Sequence, residues 1–477
     1  MKYPEDLPSI PVNYAEEKLF SPEINHLVEK RLSKRFEKIR RDARDFSEKF
    51  IYPSALKIDW IIKNEDHDYT PWDIVKEGMK RGYLSFMYPK VTGGKGGLTA
   101  EFAVLMEELS AACPGIANIF GANALGAAAI VFSFNPDIWE RYLVRAVEAE
   151  KMGEPVIFAW AITEPSAGSD VEYDEGLEKG TLTCEAKPVV GGFRLSGRKV
   201  FISNGSIAKY IVVKAATDKK RGRETWSTFI VSSSAEGFRV VRTEYKMGQV
   251  ACPAAELEFD EVFISRRDTI GPVGSGRIMS KLILAASRGP VGAISTGIAL
   301  GAFRLAAGYA MREDTPYSRS IRNPVIREIL VEMFNRIRTA RLSYLEATSN
   351  FDKLLLPPRS IMDGAEKPYR ALTPLIRREN ILEKLHRIGD KILERYFDHI
   401  VSSGKLDAQY KLASSAKVIG SDTAVWVASR ALDIIRPGDH PYWLAAQKLY
   451  RDAKLVQIYE GTNQLNKQSI GNFLLTG

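Results

Sequence analysis

Four short stretches carry residues whose types and spacing could do chemistry. In "IYEGTNQLN", residues 458–466, a carboxylate, a glycine and a hydroxyl follow one another as Glu460-Gly461-Thr462. Read alone, this is a turn between two helices, and Glu460 matters only if other elements bring a reactive group to it. In "AWAITEPSAGSD", residues 159–170, a strand-like run enters Thr163-Glu164-Pro165 and then a tight Ser-Ala-Gly-Ser-Asp turn. The backbone N–H groups of such a loop, with the hydroxyls of Thr163, Ser166 and Ser169, can hydrogen-bond a polar ring edge or an anion. In "GRKVFISNG", residues 197–205, Phe201 and Ser203 alternate along a strand and so share a face. An aromatic ring with a hydroxyl two residues on suits a flat heterocycle: the ring covers it and the hydroxyl reaches a ring nitrogen. The fourth stretch, "YKMGQVACPAAELEFDEVFI" at 245–264, is a loop running into a strand. Each has a plainer reading when taken singly, a decorated turn or a core Phe beside a solvated Ser.

The elements that must position these residues fall into three regions. Up to about residue 155 the pattern is helical. "EINHLVEKRLSKRFEKIRRDARDFSEKFIYPSA" and "TPWDIVKEGMKRGYLSF" place apolar residues three and four apart. "TAEFAVLMEELSAAC" opens on Thr99 as the expected N-cap, with Glu101 close behind. "YPKVTGGKGG", with four glycines in five positions, is a loop. "NALGAAAIVFSFNPDIWERYL" reads as two helices broken near Asn135-Pro136. From 156 to about 275, short β-branched and aromatic runs with turn residues between them predict an antiparallel β domain. From 276 to 477 the chain is helical again. Its small-residue helix from Ile278 to Met311 suits the centre of a bundle, and a Pro- and charge-rich segment lies at about 351–404. The expected fold class is α+β: a helical N-terminal domain (1–155), a central antiparallel β domain (156–275) and a C-terminal helical bundle (276–477).

Composition narrows the function classes. The chain has 477 residues, 45% of them hydrophobic and 26% charged, which is ordinary for a globular protein with full cores. Cys113, Cys184 and Cys252 lie far apart, and the five histidines show no ligand spacing, so neither a disulfide framework nor a metal site is expected. The first twenty residues lack a cationic head followed by an apolar run, and the apolar stretch 282–311 is interrupted by Arg288 and Arg304. A cytoplasmic protein without membrane insertion is the expectation. The formal charge of +8 is dispersed along the chain rather than gathered into a block, which argues against a nucleic-acid partner.

Taken together, in this order and at these separations, the four stretches resemble the acyl-CoA dehydrogenase family. "YPKVTGGKGG", "MEELSAACPG", "AITEPSAGSD", "GRKVFISNG" and "RDAKLVQIYEGTNQ" each look like a family motif, and together they span most of 75–350 and 405–470. The resemblance implies an α–β–α fold and FAD as cofactor. It implies Trp160, Ile162 and Thr163 along the isoalloxazine, Phe201 on its face, Ser203 at N5, Ser169 near the flavin or the thioester, and Thr462 as a further FAD contact. Glu460 matches the family's base. The implied reaction removes the α proton of an acyl-CoA thioester to Glu460 and the β hydride to flavin N5, giving the trans-2-enoyl-CoA. A carboxylate suits the proton step in an apolar site, and the backbone N–H of the same residue helps hold the thioester oxygen. Gly461 permits the tight turn. Arg288, in "SRGPVGAISTG", resembles the family's Arg near substrate and base. Ser287 stands where some members carry their base, so no second base competes with Glu460. Electron-transfer flavoprotein or a similar acceptor is the implied partner, and a homodimer or homotetramer the implied assembly.

The sequence departs from the family on the side where a neighbouring subunit would reach the cofactor. Cys252 and Ala254 stand where a Ser and a Thr are usual. Arg312 is displaced by one position from the expected pyrophosphate Arg, with Arg319 as the other candidate, and Asp433, Arg436 and Pro437 replace a Gln and two Gly. An acidic Asp433 near a pyrophosphate needs Arg436 to offset it. Segment 351–404 has no counterpart in the family pattern. The alternatives on the same fold are an acyl-CoA oxidase, a flavin-bearing DNA-associated protein, or a non-catalytic subunit.

Overall fold

The computed structural model describes residues 9–12, 14, 30–168, 182–312, 320–356 and 379–476. Ser169, Arg319 and most of the 351–404 segment's first half lie outside the described residues.

The first region is helical: α1 (Lys30–Phe46), α2 (Ala55–Asn64), α3 (Trp72–Lys80), α4 (Thr99–Ala112) and α5 (Pro114–Phe132). A further helical run holds α6 (Pro136–Ile138), a π-helical turn (Trp139–Val144) and α7 (Arg145–Lys151). The break at Asn135-Pro136 is capped by the Asn135 side chain, which accepts from the N–H groups of Asp137 and Ile138. Thr99 is not the N-cap of α4. Leu98 holds that position, and Glu101 Oε2 accepts from its N–H at 3.0 Å. The N–H groups of Thr99 and Ala100 go instead to the Asp352 carboxylate, at 2.8 and 2.9 Å. A carboxylate from a distant helix thus outcompetes the local hydroxyl for the orphan donors of the first turn.

The central region forms one eight-stranded sheet: β1 (Phe158–Ala161), β2 (Glu185–Val189), β3 (Gly192–Ser203), β4 (Tyr210–Ala216), β5 (Trp226–Ser232), β6 (Phe238–Thr243), β7 (Ala254–Ser265) and β8 (Thr269–Ile270). The sheet is mixed, not purely antiparallel as the sequence suggested. β1 lies parallel to β4, from Phe158 opposite Tyr210 to Ala161 opposite Val213, and β2 meets β4 in the parallel sense at Ala216. The sequence gives no hairpin between β1 and its neighbour: nearly fifty residues return the chain to β4, as a parallel pairing requires. β4 accordingly reads as an apolar run broken only by Lys214, whose ammonium sits 4.5 Å from the centre of the Trp226 ring, and is buried along nearly its whole length.

The last region comprises α8 (Gly276–Ala310), α9 (Pro324–Leu354), α10 (Glu379–Ser402), α11 (Lys405–Ile434), α12 (Tyr442–Leu455) and α13 (Asn463–Thr476). α8 is the central helix. Its small residues serve close approach: a Cβ at Gly297 would run into the carbonyl of Glu107, and one at Gly301 into that of Ala111, both on α4. α5 and α8 are long and apolar enough to cross a membrane, yet both are largely buried inside the fold and act as core helices. Buried charges knit the helices across the core. Glu108 receives Arg304 of α8 at 3.1 Å and Arg44 of α1 at 3.0 Å, and these cations hold its carboxyl at about 2 against the upward push of burial.

Candidate active site

A cavity of about 600 Å³ opens between α5, the β1 and β3 ends, α8 and the loop after α12. Its wall includes Trp160, Ile162, Thr163, Phe201, Ser203, Glu460, Gly461 and Thr462, so residues some 300 positions apart in sequence meet here.

The loop that carries Glu460 is held in an uncommon conformation. α12 ends at Leu455, and Glu460 (φ 57°) and Gly461 (φ 80°) follow one another in the left-handed region before α13 begins. For a glutamate this is a strained backbone state that its surroundings must impose. Two buried cations do so. Arg288 Nε donates to the Glu460 carbonyl at 2.9 Å, and Lys417 Nζ to the Gly461 carbonyl at 2.8 Å. Asn466 Nδ2 adds a second bond to the Gly461 carbonyl at 2.9 Å. Arg288 is fully buried, bonded also to Ser414 Oγ at 2.9 Å and seated 4.5 Å from the centre of the Tyr410 ring. It lies behind the loop and is not part of the cavity wall.

On the opposite wall the strand β3 is not regular at the residues that matter. Its pairing with β7 slips between Lys199 and Ile202, and Phe201 sits in this bulge with φ 58°. The simple alternation read from the sequence therefore does not hold, although Phe201 and Ser203 both line the cavity. Phe201 remains 64% exposed. A large apolar ring kept in solvent by a strained backbone is a surface built to be covered. The neighbouring loop after β1 is anchored by a buried ion pair, Lys199 Nζ to Glu164 Oε1 at 2.8 Å. Lys199 also donates to the carbonyl of Ile162 at 2.8 Å, and Glu164 accepts from Thr183 Oγ1 at 2.6 Å and Cys184 N at 3.1 Å.

Among the described residues the structure brings eight of the sequence-expected positions to the cavity wall and sets two elsewhere. Arg312 lies away from the cavity, its guanidinium 4.9 Å from the Tyr442 ring centre. Arg288 lies beneath the Glu460 loop. Asp433 pairs with Arg430, at 2.8 Å, one turn back on α11, whereas Arg436, three residues on, lies beyond the end of the helix at Ile434. Cys252 is buried against Asn204 Oδ1 at 3.5 Å, and Ala254 is buried in β7; neither lines the cavity.

Sequence reasoning missed several supporting residues. Ser287 Oγ donates to Glu460 Oε2 at 2.8 Å, so the position treated only as an empty base site in fact contacts the carboxylate. Lys199, Glu164 and Lys417 were missed as well. A lysine inside the apolar "KVFIS" run is the one local signal that was available, because a buried lysine requires a partner.

Known proteins place this arrangement. The sequence matches the acyl-CoA dehydrogenase N-terminal domain over residues 33–150, the middle domain over 159–262 and the C-terminal domain over 397–475. The chain belongs to the acyl-CoA dehydrogenase family. It is 28% identical over 442 residues to the 3-(aryl)acrylate reductase of Clostridium sporogenes, covering 92% of this chain and 98% of that protein. It is 25% identical over 440 residues to a caffeyl-CoA reductase–Etf complex subunit of Acetobacterium woodii, covering 92% of this chain and 97% of that protein. The solved butyryl-CoA dehydrogenase of Megasphaera elsdenii has the same fold, with a TM-score of 0.73 at 23% identity over 92% of this chain and 98% of that one. An acyl-CoA dehydrogenase is an oxidoreductase acting on a CH–CH bond, and the family is one of flavoproteins. The wall fits a flavin: Trp160, Ile162 and exposed Phe201 offer apolar faces, and Thr163 and Ser203 offer hydroxyls at its edge.

Proposed function

We propose that this acyl-CoA dehydrogenase uses FAD to oxidise an acyl-CoA thioester to the trans-2-enoyl-CoA. The observation that carries this reading is the Glu460 carboxylate in one cavity with Trp160, Ile162, Thr163, Phe201 and Ser203. Those residues and Thr462 would hold FAD, which when bound would supply the acceptor for the β hydride. Glu460 takes the α proton on its carboxylate, and its backbone N–H is the donor for the thioester oxygen. Arg288 and Lys417 fix the two carbonyls of the turn, so the carboxylate and this N–H are oriented before substrate arrives. Gly461 gives the turn its second left-handed residue, Arg288 serves substrate through the loop it holds, and Ser169 is assigned to the thioester side by motif position.

Electron-transfer flavoprotein is the proposed acceptor, supported by the relative named as part of an Etf complex. We assign Arg312 to the FAD of a neighbouring subunit in a homodimer or homotetramer, since its own cavity lies elsewhere. A second reading is favoured by the relatives named as reductases: Glu460, protonated, returns a proton to the α carbon of a 2-enoyl thioester, while reduced FAD held along the same wall would supply the hydride for the β carbon.

Anaerobic titration of the FAD-loaded protein with a panel of acyl-CoA thioesters tests the proposal. One thioester should bleach the oxidised flavin band, and Glu460→Gln should abolish the response. If the dithionite-reduced protein is instead reoxidised by enoyl-CoAs while no saturated thioester bleaches it, the reductive reading holds. Bound flavin that responds to neither removes Glu460 from its role.

A further inference from the structure

The segment without a family counterpart ends in α10, and α10 docks where one end of the cavity is made. That end includes Phe132, Phe134, Trp139 and Leu356. Phe134 has φ 48°, so its backbone is held in a conformation that a phenylalanine rarely adopts. The residue that follows it is pinned by α10. Asn135, fully buried next to it, donates from Nδ2 to the His386 carbonyl at 3.1 Å and to Asp390 Oδ1 at 3.3 Å, both on α10. His386 Nδ1 stands 3.0 Å from Asp137 Oδ2, which also binds Arg141 and Arg267. Gly389 lets the helix approach: a Cβ there would lie 2.6 Å from Asn135 Cγ. About two turns further along α10, Tyr396 sets its ring edge-on to Phe134 at 5.2 Å, and its hydroxyl donates to the Leu355 carbonyl at 2.6 Å. Tyr396 therefore backs Phe134, a member of the cavity wall, and holds the carbonyl of Leu355, the residue just before Leu356, which is another.

We propose that α10 is a specificity element of this site: through Tyr396 it fixes Phe134 and Leu356 and so limits the size of the group held at that end of the cavity. The inference rests on the thioester-oxidoreductase reading above. Discrimination of this kind follows from wall position, since one methylene more or less in an apolar pocket changes selectivity about 10- to 200-fold.

The test uses the full-length FAD-loaded protein and two graded thioester series. One lengthens or branches the acyl group on CoA, and the other shortens CoA to pantetheine at constant acyl group. Flavin reduction gives kcat/KM, and calorimetry gives binding without turnover. Tyr396→Ala should raise the preference for the larger member of one series about tenfold or more, while Tyr396→Phe, which keeps the ring against Phe134, should shift it less. Phe134→Gly relieves the positive φ and opens the same wall while leaving the residues of α10 unchanged, so it should reproduce the shift even if Tyr396→Ala does not fold. Unchanged selectivity in both series, in a variant that retains flavin, overturns the proposal. A lowered melting temperature with an unchanged selectivity ratio overturns it too, because that is what a purely structural contact would give. If thioesters bind with graded affinity but none reduces flavin, the dehydrogenase reading fails while the selectivity claim is still decided by binding. If no thioester binds at all, both fall.

Discussion

Ser287 Oγ donates to Glu460 Oε2 at 2.8 Å, joining the central helix α8 to the loop after α12. A hydroxyl donor favours the ionised form of a carboxylate and narrows the orientations it can take. Ser287→Ala should therefore slow flavin reduction at neutral pH. It should also move the acid limb of the rate profile upward, because the ionised carboxylate loses a donor. Ser287→Thr keeps the donor and should restore most of the rate. A Ser287→Ala profile that superimposes on the native one would mean the contact does not persist when substrate is bound.

Arg288 acts from behind the loop rather than from within the cavity. Its fork is committed to the Glu460 carbonyl, to Ser414 and to the Tyr410 face. A lysine cannot reproduce that arrangement. Arg288→Lys should lower kcat by about 10- to 100-fold, the cost expected when a reacting group is displaced by about an ångström, with flavin content nearly unchanged. Lys417→Met frees the next carbonyl of the same turn and should act in the same direction. A rise in KM with kcat intact would instead make Arg288 a substrate-binding group.

Much of the cavity wall was legible in the sequence because the side chains that line it sit in compact local motifs. Trp160, Ile162 and Thr163 share one strand end, Phe201 and Ser203 another, and Glu460 to Thr462 a single turn. What was not legible depends on long-range packing. The Ser287–Glu460 and Arg288–Glu460 contacts span more than 170 residues, and no spacing rule connects them. The bulge at Phe201 was hidden for a similar reason: it arises from the register against β7, not from the sequence of β3 alone. Thr99 looked like a cap because local capping is all that a sequence window contains, and Asp352 enters from α9. The order helix, sheet, helix was readable throughout, whereas the parallel partner of β1 was not, since strand order is a property of the whole sheet.

The loop after β1 depends on a charge pair removed from water. Lys199 and Glu164 have no exposed side-chain surface and lie 2.8 Å apart. Burial alone would raise the Glu164 carboxyl, yet the Lys199 ammonium and the Thr183 donors outweigh it and hold the group below its usual range. Removing one partner strands the other, so Glu164→Gln or Lys199→Met should destabilise the protein by about 3–5 kcal/mol and release flavin. The double change Glu164→Leu with Lys199→Met should cost less than the sum of the single ones. Because the folded carboxyl is the more acidic one, its contribution is complete above the unfolded range and is lost as pH falls through the folded value. Acid-melting curves should show a step in the native protein that Glu164→Gln lacks.

Glu150, at the end of α7, behaves in the opposite sense. Burial lifts its carboxyl to about 7, against a Ser85 Oγ donor at 2.8 Å, and its Oε1 is buried without a hydrogen-bond partner among the described residues. Between about 4.5 and 7 the folded protein keeps a proton that the unfolded chain has released. The folded state binds more protons in that window, so this group's contribution to stability falls as pH rises through it and is constant above. Glu150→Gln is a neutral replacement that keeps a polar partner for Ser85. It should raise the melting temperature at pH 8 by an amount on the order of 1 kcal/mol in stability and leave it unchanged at pH 4. Melting curves of the two proteins at both pH values decide the matter. An equal difference at pH 4 and pH 8 would show that packing, not ionisation, sets the effect.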